Sequence, residues 1–321
     1  MPLAVEQFDL SRYDLVISSS YAVAKGIITG PDQIHIGYVH SPARYAWDLQ
    51  HEYLAQAGMD SGVKAWVVKW MLHRMRMWDA RTANGVDHFV ANSYFIRRRI
   101  WKIYRRDASV IYPPVDVKKF DLRATKDDFF ITASRMVPYK RIDVIVKAFS
   151  YLRDKHLVVI GDGPEMAKIR RIAPNNVRIL GYQRDDTLRH YMQRAHAFLF
   201  AAQEDFGIAP VEAQACGTPV IAYGKGGVRE SVRGLDAERP TGVLFEEPTV
   251  ESLIDAIGLF DSNRDNISPS ACRENALRFA PDRFRGEFAG FLRRQLAALH
   301  EPRDTAQPAA FHGRAIGGAA D

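Results

Sequence analysis

The stretch Glu204-Asp-Phe-Gly-Ile-Ala-Pro-Val-Glu212 directly follows the apolar run Ala197-Phe-Leu-Phe-Ala201. The apolar run predicts a buried strand, and the residues after Gly207 predict a helix whose first turn contains Pro210. The start of such a helix has backbone N–H groups without intrahelical partners, and these groups attract an anion such as a diphosphate. The stretch therefore predicts a strand, turn and helix of an α/β sheet, with an anion site at the turn.

The two glutamates that bracket this stretch, Glu204 and Glu212, are candidate contacts to sugar and ribose hydroxyls. An ionised glutamate only accepts hydrogen bonds, and it has room for two hydroxyl donors. The simpler interpretation is that the helix dipole favours Glu212 in a first turn and that Glu204 is a solvated loop residue. The stretch alone leaves both interpretations open.

Two cations follow a second apolar run, Phe129-Phe-Ile-Thr-Ala-Ser134, which also predicts a buried strand. Arg135 and Lys140 come after this strand and before the helical pattern that begins at Ile142. Ligands bind at the carboxyl edge of an open α/β sheet, so we expect the two cations to neutralise a diphosphate there. Solvation of a helix start is the weaker interpretation, because the helix dipole disfavours cations at that end.

The chain as a whole predicts two α/β halves. The pattern predicts strands at 14–18, 34–39, 88–91, 129–133, 157–160, 177–180, 197–201 and 219–222, and helices at 63–78 and 94–104 in the first half. Alternation of this kind is typical of a doubly wound parallel sheet. Paired prolines in Val110-Ile-Tyr-Pro-Pro-Val-Asp116 can continue neither a helix nor a central strand, so we expect the halves to be joined there.

Composition indicates a globular enzyme, because 47% hydrophobic and 26% charged residues in a chain of 321 suit two packed domains. No apolar run has membrane-spanning length, and the amino terminus does not resemble a signal peptide. The cysteines, Cys216 and Cys272, have no metal-ligand spacing, which indicates a reducing compartment. We therefore predict a cytoplasmic protein. No Asp-x-Asp pair occurs in the sequence, so we predict no catalytic metal.

A series of motifs follows in order along the second half. They are Ser134-Arg135 with Lys140-Arg141, Val158-Val-Ile-Gly-Asp-Gly-Pro164, Gly181-Tyr182, Glu204 with Glu212, Ala215-Cys-Gly-Thr-Pro-Val-Ile221 and Gly226-Gly227. Their order and spacing resemble the retaining, nucleotide-sugar-dependent glycosyltransferases of the GT-B fold, of the family four type. In the first half, Tyr13–Ser20, Tyr38–Asp48 and Val90–Ser93 resemble bacterial GDP-mannose-dependent mannosyltransferases of exopolysaccharide and O-antigen assembly.

The resemblance implies an α/β protein of the GT-B fold, with two Rossmann-like doubly wound domains facing a cleft. Such enzymes open with a strand and a glycine-rich loop ahead of the segment that resembles Met1–Ala4, so the first domain is expected to be truncated. The implied organisation is an acceptor-side domain at 1–120, a donor-binding domain at 121–282 and a helix at 283–300 that crosses back to the first domain. We predict a disordered tail at 301–321 from its Ala, Gly and Pro content.

The activity implied by the resemblance is transfer of a hexose, mannose from GDP-mannose, with retention, onto a lipid-linked or glycan acceptor such as a polyprenyl-diphosphate-linked glycan. No cofactor besides the nucleotide sugar is expected. The implied catalytic residues are His40, Arg135, Lys140 and Glu204. The implied donor-binding residues are Gly161, Tyr182, Arg184, Phe206, Gly207, Ile208, Ala209 and Glu212. The simpler interpretations are turn chemistry for Gly161, Tyr182 and Arg184, and a histidine bonded to a nearby carbonyl for His40.

The net charge of +6 is concentrated on two predicted helices. Arg97, Arg98 and Lys102 lie on one, and the other alternates basic residues with Trp66, Trp70 and Trp78. Such helices can lie on anionic lipid at the inner face of the plasma membrane; alternatively, the tryptophans face the core. Nucleic acid is the weaker candidate partner, because no nucleic-acid-binding module is recognisable. We expect Arg44 and Tyr45 to bind the acceptor's phosphate.

Two other functional classes remain open. A truncated, inactive glycosyltransferase that acts as a membrane-surface or partner-binding module would bind a donor weakly or not at all. An α/β enzyme of another class, such as an epimerase, would require a full dinucleotide loop. The loop Gly161-Asp-Gly-Pro164 lacks the third glycine of that fingerprint, which disfavours the epimerase.

Overall fold

The computed structural model describes residues 2–59 and 61–300. Residues 2–284 form one compact unit, and residues 285–300 belong to a separate unit in which the last helix continues. The strands are β1 Leu15–Ser20, β2 Ile34–Val39, β3 His88–Ala91, β4 Ala108–Val110, β5 Phe130–Ala133, β6 Leu157–Ile160, β7 Val177–Gly181, β8 Ala197–Phe200, β9 Val220–Tyr223 and β10 Gly242–Phe245. The predicted tail at 301–321 lies outside the described residues.

The helices alternate with these strands. They are α1 Pro2–Val5, α2 Gln50–Gln56, α3 Gly62–Thr82, α4 Tyr94–Tyr104, α5 Ile142–Ala148, α6 Met166–Ile172, α7 Asp185–Arg194, α8 Ile208–Ala215, α9 Val228–Ser231, α10 Val250–Ser262, α11 Pro269–Leu277 and α12 Pro281–His300. The bounds of β2, β3, α4 and β6 are those predicted from the sequence. The crossing of the last helix back to the first domain stays a prediction.

The first half contains a four-stranded sheet in the order β1-β2-β3-β4, with every pair parallel. All six residues of β2 are buried, as expected of a strand covered on both faces. The helix α4 begins after Ser93, whose Oγ accepts a hydrogen bond from the backbone N–H of Ile96 at 3.1 Å. This contact confirms the predicted N-cap, which fixes where the helix starts.

The second half contains a six-stranded parallel sheet in the order β10-β9-β8-β5-β6-β7. The chain proceeds outward from β5 through β6 and β7, and then returns to the other side of β5 with β8. The crevice between the carboxyl ends of β5 and β8 is therefore the topological switch point, where doubly wound sheets bind ligands. Residues 134–141 leave β5 at this crevice, and residues 201–207 leave β8 beside them.

Apolar side chains cover both faces of the second sheet. Ile131, Phe198 and Val220 belong to the core on one face, and Phe130, Leu199 and Ile221 belong to the core on the other. After the paired prolines, the chain packs with the second half, because Val115, Val117 and Phe120 are buried in its first core. The domain bounds themselves stay a prediction.

Candidate active site

A cavity of about 690 Å³ lies between the two halves at this switch point. The structure brings the four residues predicted to be catalytic to its wall: His40, Arg135, Lys140 and Glu204. The same wall includes Arg44 and the predicted donor-binding residues Phe206, Gly207, Ile208, Ala209 and Glu212. Sequence reasoning placed these residues on separate loops, and the parallel sheet gathers the loops at one edge.

The loop that carries Glu204 is held by the glycines of a neighbouring loop. Glu204 forms an isolated parallel bridge with Gly226, and the Glu204 carbonyl accepts a hydrogen bond of 2.8 Å from the backbone N–H of Gly227. Gly226 has φ of +88°, and a Cβ there would lie 2.3 Å from the Glu204 carbonyl oxygen. Only glycine allows this approach, so the glycine pair fixes the main chain of Glu204.

The helix predicted after Gly207 is confirmed as α8, which begins at Ile208. Gly207 precedes it with φ of +87°, a left-handed conformation that turns the chain sharply from loop to helix. The first N–H groups of α8 have no carbonyl partner within the helix, and Ile208 and Ala209 line the cavity. The cavity therefore faces the positive end of a helix.

Lys140 and Glu204 form an ion pair across the crevice, and their side chains are only 15% and 20% exposed. Burial lowers the pKa of Lys140 to about 8, and the nearby Arg44 guanidinium acts in the same direction. The Asp205 carboxylate opposes this shift, and contact with the Glu204 carboxylate also favours the ammonium form. Lys140 is therefore a cation at pH 7.

Arg135 lines both this cavity and its neighbour. Among the described residues, its guanidinium has no hydrogen-bond or ion-pair partner. An unpaired guanidinium on the wall of such a cavity is suited to bidentate contact with an oxyanion. Among the described residues, the cavity wall thus has two paired cations, Arg44 and Lys140, and the unpaired Arg135, beside a helix amino terminus.

His40 follows β2, and its Nε2 lies 2.8 Å from the Ser19 hydroxyl oxygen. The partner is thus a serine hydroxyl rather than the carbonyl of the simpler interpretation. Burial lowers the pKa of His40, and the Asp205 carboxylate only partly opposes this shift. His40 is therefore neutral at pH 7 and can serve as a hydrogen-bonding group.

Asp205 was missed by sequence reasoning, although it is next to Glu204 in the chain. Its carboxylate is 3.7 Å from a guanidinium nitrogen of Arg44 and 3.8 Å from one of Arg99. Burial raises the pKa of Asp205, and the two guanidinium groups oppose this shift. Because both arginines belong to the first half, this carboxyl joins the two halves beneath the cavity.

A second contact between the halves involves Glu230 of α9. Its carboxylate accepts hydrogen bonds from the backbone N–H groups of Tyr94 and Phe95, at 2.8 and 2.9 Å. These N–H groups belong to the first turn of α4, where a carboxylate is favoured. Ser93 adds a bond of 2.6 Å from its hydroxyl to the Asp205 carbonyl.

Two further cavities adjoin the first and share Glu212 with it. The cavity of about 400 Å³ is lined by Gly161 and Tyr182, and the cavity of about 540 Å³ by Tyr182 and Arg184. The predicted donor-binding residues thus follow one wall of the second half. Burial raises the pKa of Glu212, and the Asp185 carboxylate acts in the same direction.

The remaining predicted acceptor and membrane residues lie away from the cavity wall. Tyr45 does not line it, although its neighbour Arg44 does. Arg97 pairs with Asp107 at 2.9 Å on the outside of α4, and Arg98 and Lys102 are exposed on the same helix.

The helix α3 presents tryptophans to solvent. Trp66 is 68% exposed and Trp70 is 53% exposed, so the interpretation that they face the core is wrong for these two residues. Trp78 is half-buried and donates from Nε1 to Glu6 at 2.6 Å. Within the described ranges, none of the helices is long and apolar enough to span a bilayer. These ranges also contain no cluster of three or more His, Cys, Asp or Glu residues suited to a metal ion.

Comparisons with known proteins agree with this architecture. The chain is 27% identical over 252 residues to the GDP-mannose-dependent alpha-(1-6)-phosphatidylinositol monomannoside mannosyltransferase of Mycobacterium tuberculosis, covering 68% of this chain and 64% of the relative. The chain thus spans somewhat less than two thirds of that relative's length. A Corynebacterium glutamicum relative, a GDP-mannose-dependent monoacylated alpha-(1-6)-phosphatidylinositol monomannoside mannosyltransferase, is 32% identical over 168 residues, 43% of each chain.

Solved structures share the fold at low sequence identity. Sucrose-phosphate synthase from Thermosynechococcus elongatus superposes with a TM-score of 0.70 at 18% identity, covering 89% of this chain and 75% of that one. Anabaena HepE, in complex with UDP-glucose, gives 0.65 at 18% identity, with 88% and 79% covered. The predicted GT-B fold with two Rossmann-like domains is thereby confirmed. The model of the family "Glycosyl transferases group 1" matches residues 116–279, and the chain belongs to this family.

Proposed function

We propose that the protein transfers a hexose from a nucleoside diphosphate to a glycan acceptor, with retention of anomeric configuration and without a metal ion. The observation that carries this proposal is the convergence of Arg135, the Lys140–Glu204 pair and the start of α8 on one crevice. Each of these groups suits a phosphorylated sugar: two cations and a helix terminus for the diphosphate, and a carboxylate for hydroxyls.

The departing diphosphate needs stabilisation as the glycosidic bond breaks. Lys140, held by Glu204, and the N–H groups of Ile208 and Ala209 are in place before the reaction, so they stabilise the developing charge without reorganising. The exposed Arg135 adds a second cation at the same crevice. Neutral His40 approaches the hexose from the opposite half of the cleft. Closure of the halves through Asp205 and Glu230 excludes water and suppresses hydrolysis of the donor.

Retention follows if the acceptor attacks the face that the leaving group vacates. The bond between hexose C1 and the phosphate oxygen breaks, and a bond between C1 and the acceptor oxygen forms. The acceptor's hydroxyl proton passes to the departing phosphate oxygen. In this scheme Glu204 binds hexose hydroxyls and Glu212 binds the ribose, so no protein nucleophile is needed.

GDP-mannose is the proposed donor, because both relatives named above are described as GDP-mannose-dependent mannosyltransferases. Calorimetric titration with GDP, UDP and their mannose and glucose conjugates tests the donor. NMR of the transferred sugar's anomeric proton tests retention. We expect GDP-mannose to bind and the product to be the α-anomer. Absence of binding by every nucleotide would contradict the proposed function, and a β-anomer would contradict the retaining scheme.

The pH dependence of transfer should report on Lys140. The pKa of this residue is about 8, so raising the pH through that value removes the ammonium that stabilises the leaving group. We expect kcat/KM to be highest below pH 8 and to fall above it. In Lys140→Arg the guanidinium stays charged, and the decline should move to higher pH. An unchanged decline in that variant would assign the titration to another group.

We further propose that the protein works on the inner face of the plasma membrane, where a lipid-linked acceptor such as a polyprenyl-diphosphate-linked glycan is present. Support comes from exposed Trp66 and Trp70 on α3, with Lys64 and Lys69 beside them. Aromatic side chains bury apolar area at the headgroup level, and basic residues are attracted to anionic lipid.

Vesicle flotation tests this surface. Replacing Trp66 and Trp70 with serine should reduce binding to phosphatidylglycerol-containing vesicles by at least about tenfold, because each exposed tryptophan contributes roughly 1.5–3 kcal/mol on burial. Tyr151→Ser, an exposed aromatic of the second half, is the control. Equal vesicle binding by the wild type and the double variant would contradict the proposal that α3 binds the membrane.

The second candidate function, a membrane-surface or partner-binding module without transfer activity, is favoured by the same exposed face of α3. It predicts vesicle binding without donor binding. The calorimetric and flotation experiments together separate the two functions, since transfer requires a donor complex and the module does not.

A further inference from the structure

Three tyrosines line the cavity, and their phenol groups are near enough to one another to interact electrostatically. Tyr21 follows β1, Tyr53 lies on α2, and Tyr139 belongs to the turn between Pro138 and Lys140. The first two come from the first half and the third comes from the second half. All three line the cavity of about 690 Å³ that also holds the Lys140–Glu204 pair.

The hydroxyls of these tyrosines are available to a ligand. Within the described part of the chain, no hydrogen bond involves the side-chain oxygens of Tyr21, Tyr53 and Tyr139. Burial raises the pKa of Tyr21 and of Tyr139, so these phenols stay protonated and can donate as well as accept. Their rings add apolar faces whose negative potential attracts the C–H edges of a sugar ring.

Two of the charges beside the tyrosines, those of Arg44 and Lys140, are already compensated. Arg44, whose guanidinium carbon lies 6.0 Å from the centre of the Tyr139 ring, faces Asp205 and donates to the Gln203 carbonyl at 3.1 Å. Lys140 is paired with Glu204. Arg135 also lines this cavity, and its charge acts on the Tyr139 phenol. In the proposed function the donor diphosphate occupies Arg135, so an anionic group placed among the tyrosines of the donor complex would gain no free cation there.

We propose that Tyr21, Tyr53 and Tyr139 form the acceptor subsite and that it takes an uncharged terminal sugar residue. The proposal rests on the proposed function, because it gives the acceptor that the glycosyl transfer requires. Aromatic faces and phenolic hydroxyls from both halves bind the sugar, and Tyr139 is the contribution of the second half. A phosphate elsewhere in the acceptor lies outside this subsite, and Tyr45 takes no part in it.

Ligand-observed NMR with the protein saturated with GDP tests the subsite. The probes are methyl α- and β-glycosides of mannose, glucose and galactose, with the corresponding hexose 1-phosphates as anionic counterparts. At least one methyl glycoside should bind wild type, and its hexose 1-phosphate should bind no more tightly. Tyr53→Ala and Tyr139→Ala should each weaken glycoside binding by about tenfold, and Tyr53→Phe should weaken it less because the ring is kept.

Tyr151→Ala is the control, because this tyrosine is 74% exposed and does not line the cavity. GDP affinity, measured by calorimetry, should change less than about twofold in the Tyr53 and Tyr151 variants. Tyr139→Ala is tested at a GDP concentration that keeps it saturated, because the Tyr139 ring centre lies 5.5 Å from the Lys140 ammonium. If GDP binds and no methyl glycoside does, or if the phosphates bind about tenfold more tightly, the neutral acceptor subsite is wrong. If neither GDP nor any other nucleotide binds wild type, the proposed function itself fails.

Discussion

Replacing Lys140 with alanine is expected to lower kcat/KM for hexose transfer by about 10²–10³-fold, the usual effect of removing one group that stabilises a developing anion. Lys140 is a mostly buried cation of the crevice that contacts Glu204, and it lines the same cavity as the start of α8. Without it, Arg135 and the helix terminus alone would stabilise the departing diphosphate. Steady-state release of GDP in the presence of acceptor measures this effect.

Thermal unfolding and two further variants test whether the loss of activity in Lys140→Ala is specific. Removal of the ammonium leaves the Glu204 carboxylate without its partner, so thermal unfolding must confirm that the variant is folded. Lys147→Ala, an exposed lysine on α5, should retain wild-type turnover. Lys140→Arg keeps a positive charge and should retain more activity than Lys140→Ala. Unchanged turnover in folded Lys140→Ala would contradict the leaving-group scheme.

Replacing Glu204 with glutamine is expected to lower kcat by about 10- to 100-fold, because a hydrogen bond to a charged acceptor contributes roughly 1.5–3 kcal/mol. Glutamine keeps the size of the side chain and removes the charge that accepts hexose hydroxyls. The main chain of residue 204 stays in place, because Gly226 and Gly227 hold it.

The Glu204→Gln result is specific if GDP affinity does not fall, since the proposed contact is with the hexose and the substitution keeps the Lys140 ammonium that binds the diphosphate. Glu251→Gln, in the exposed first turn of α10, is the matched control and should behave as wild type. A loss of GDP affinity as large as the loss of kcat would indicate that Glu204 contacts the nucleotide and not the hexose.

Local patterns predicted most of the secondary structure. Ser93, which precedes a segment with helical apolar periodicity, predicted the start of α4. Gly207 and Pro210 predicted the start of α8. Two short strands, β4 and β10, were not predicted. A three-residue strand such as β4 shows too little periodicity to be recognised, and its place depends on pairing with β3.

The residues of the candidate site could be predicted from the sequence where each follows a predicted strand. The contacts between residues that are distant in sequence could not. Arg135, Lys140 and Glu204 follow strands directly, so the fold alone brings them to one edge. The Asp205 contacts with Arg44 and Arg99 and the Glu230 contact with Phe95 join residues of different domains. Such contacts depend on how the halves dock, which no local pattern encodes.

The sequence also did not predict which side chains of a helix face the core. The sequence of α3 alternates tryptophans with basic residues and therefore left open which of them face the core. The structure answers this question through the exposure of Trp66 and Trp70. The tyrosines of the proposed acceptor subsite were missed for a similar reason, because Tyr21, Tyr53 and Tyr139 share no motif and meet only in the folded cleft.

The most direct measurement is a crystal structure of the protein with a bound nucleoside diphosphate sugar. The proposed function predicts diphosphate density within hydrogen-bond distance of the Arg135 guanidinium, the Lys140 ammonium and the N–H groups at the start of α8. It also predicts the hexose beside Glu204, facing His40. Diphosphate density at any other place, with these groups unchanged from the free protein, would contradict the central claim.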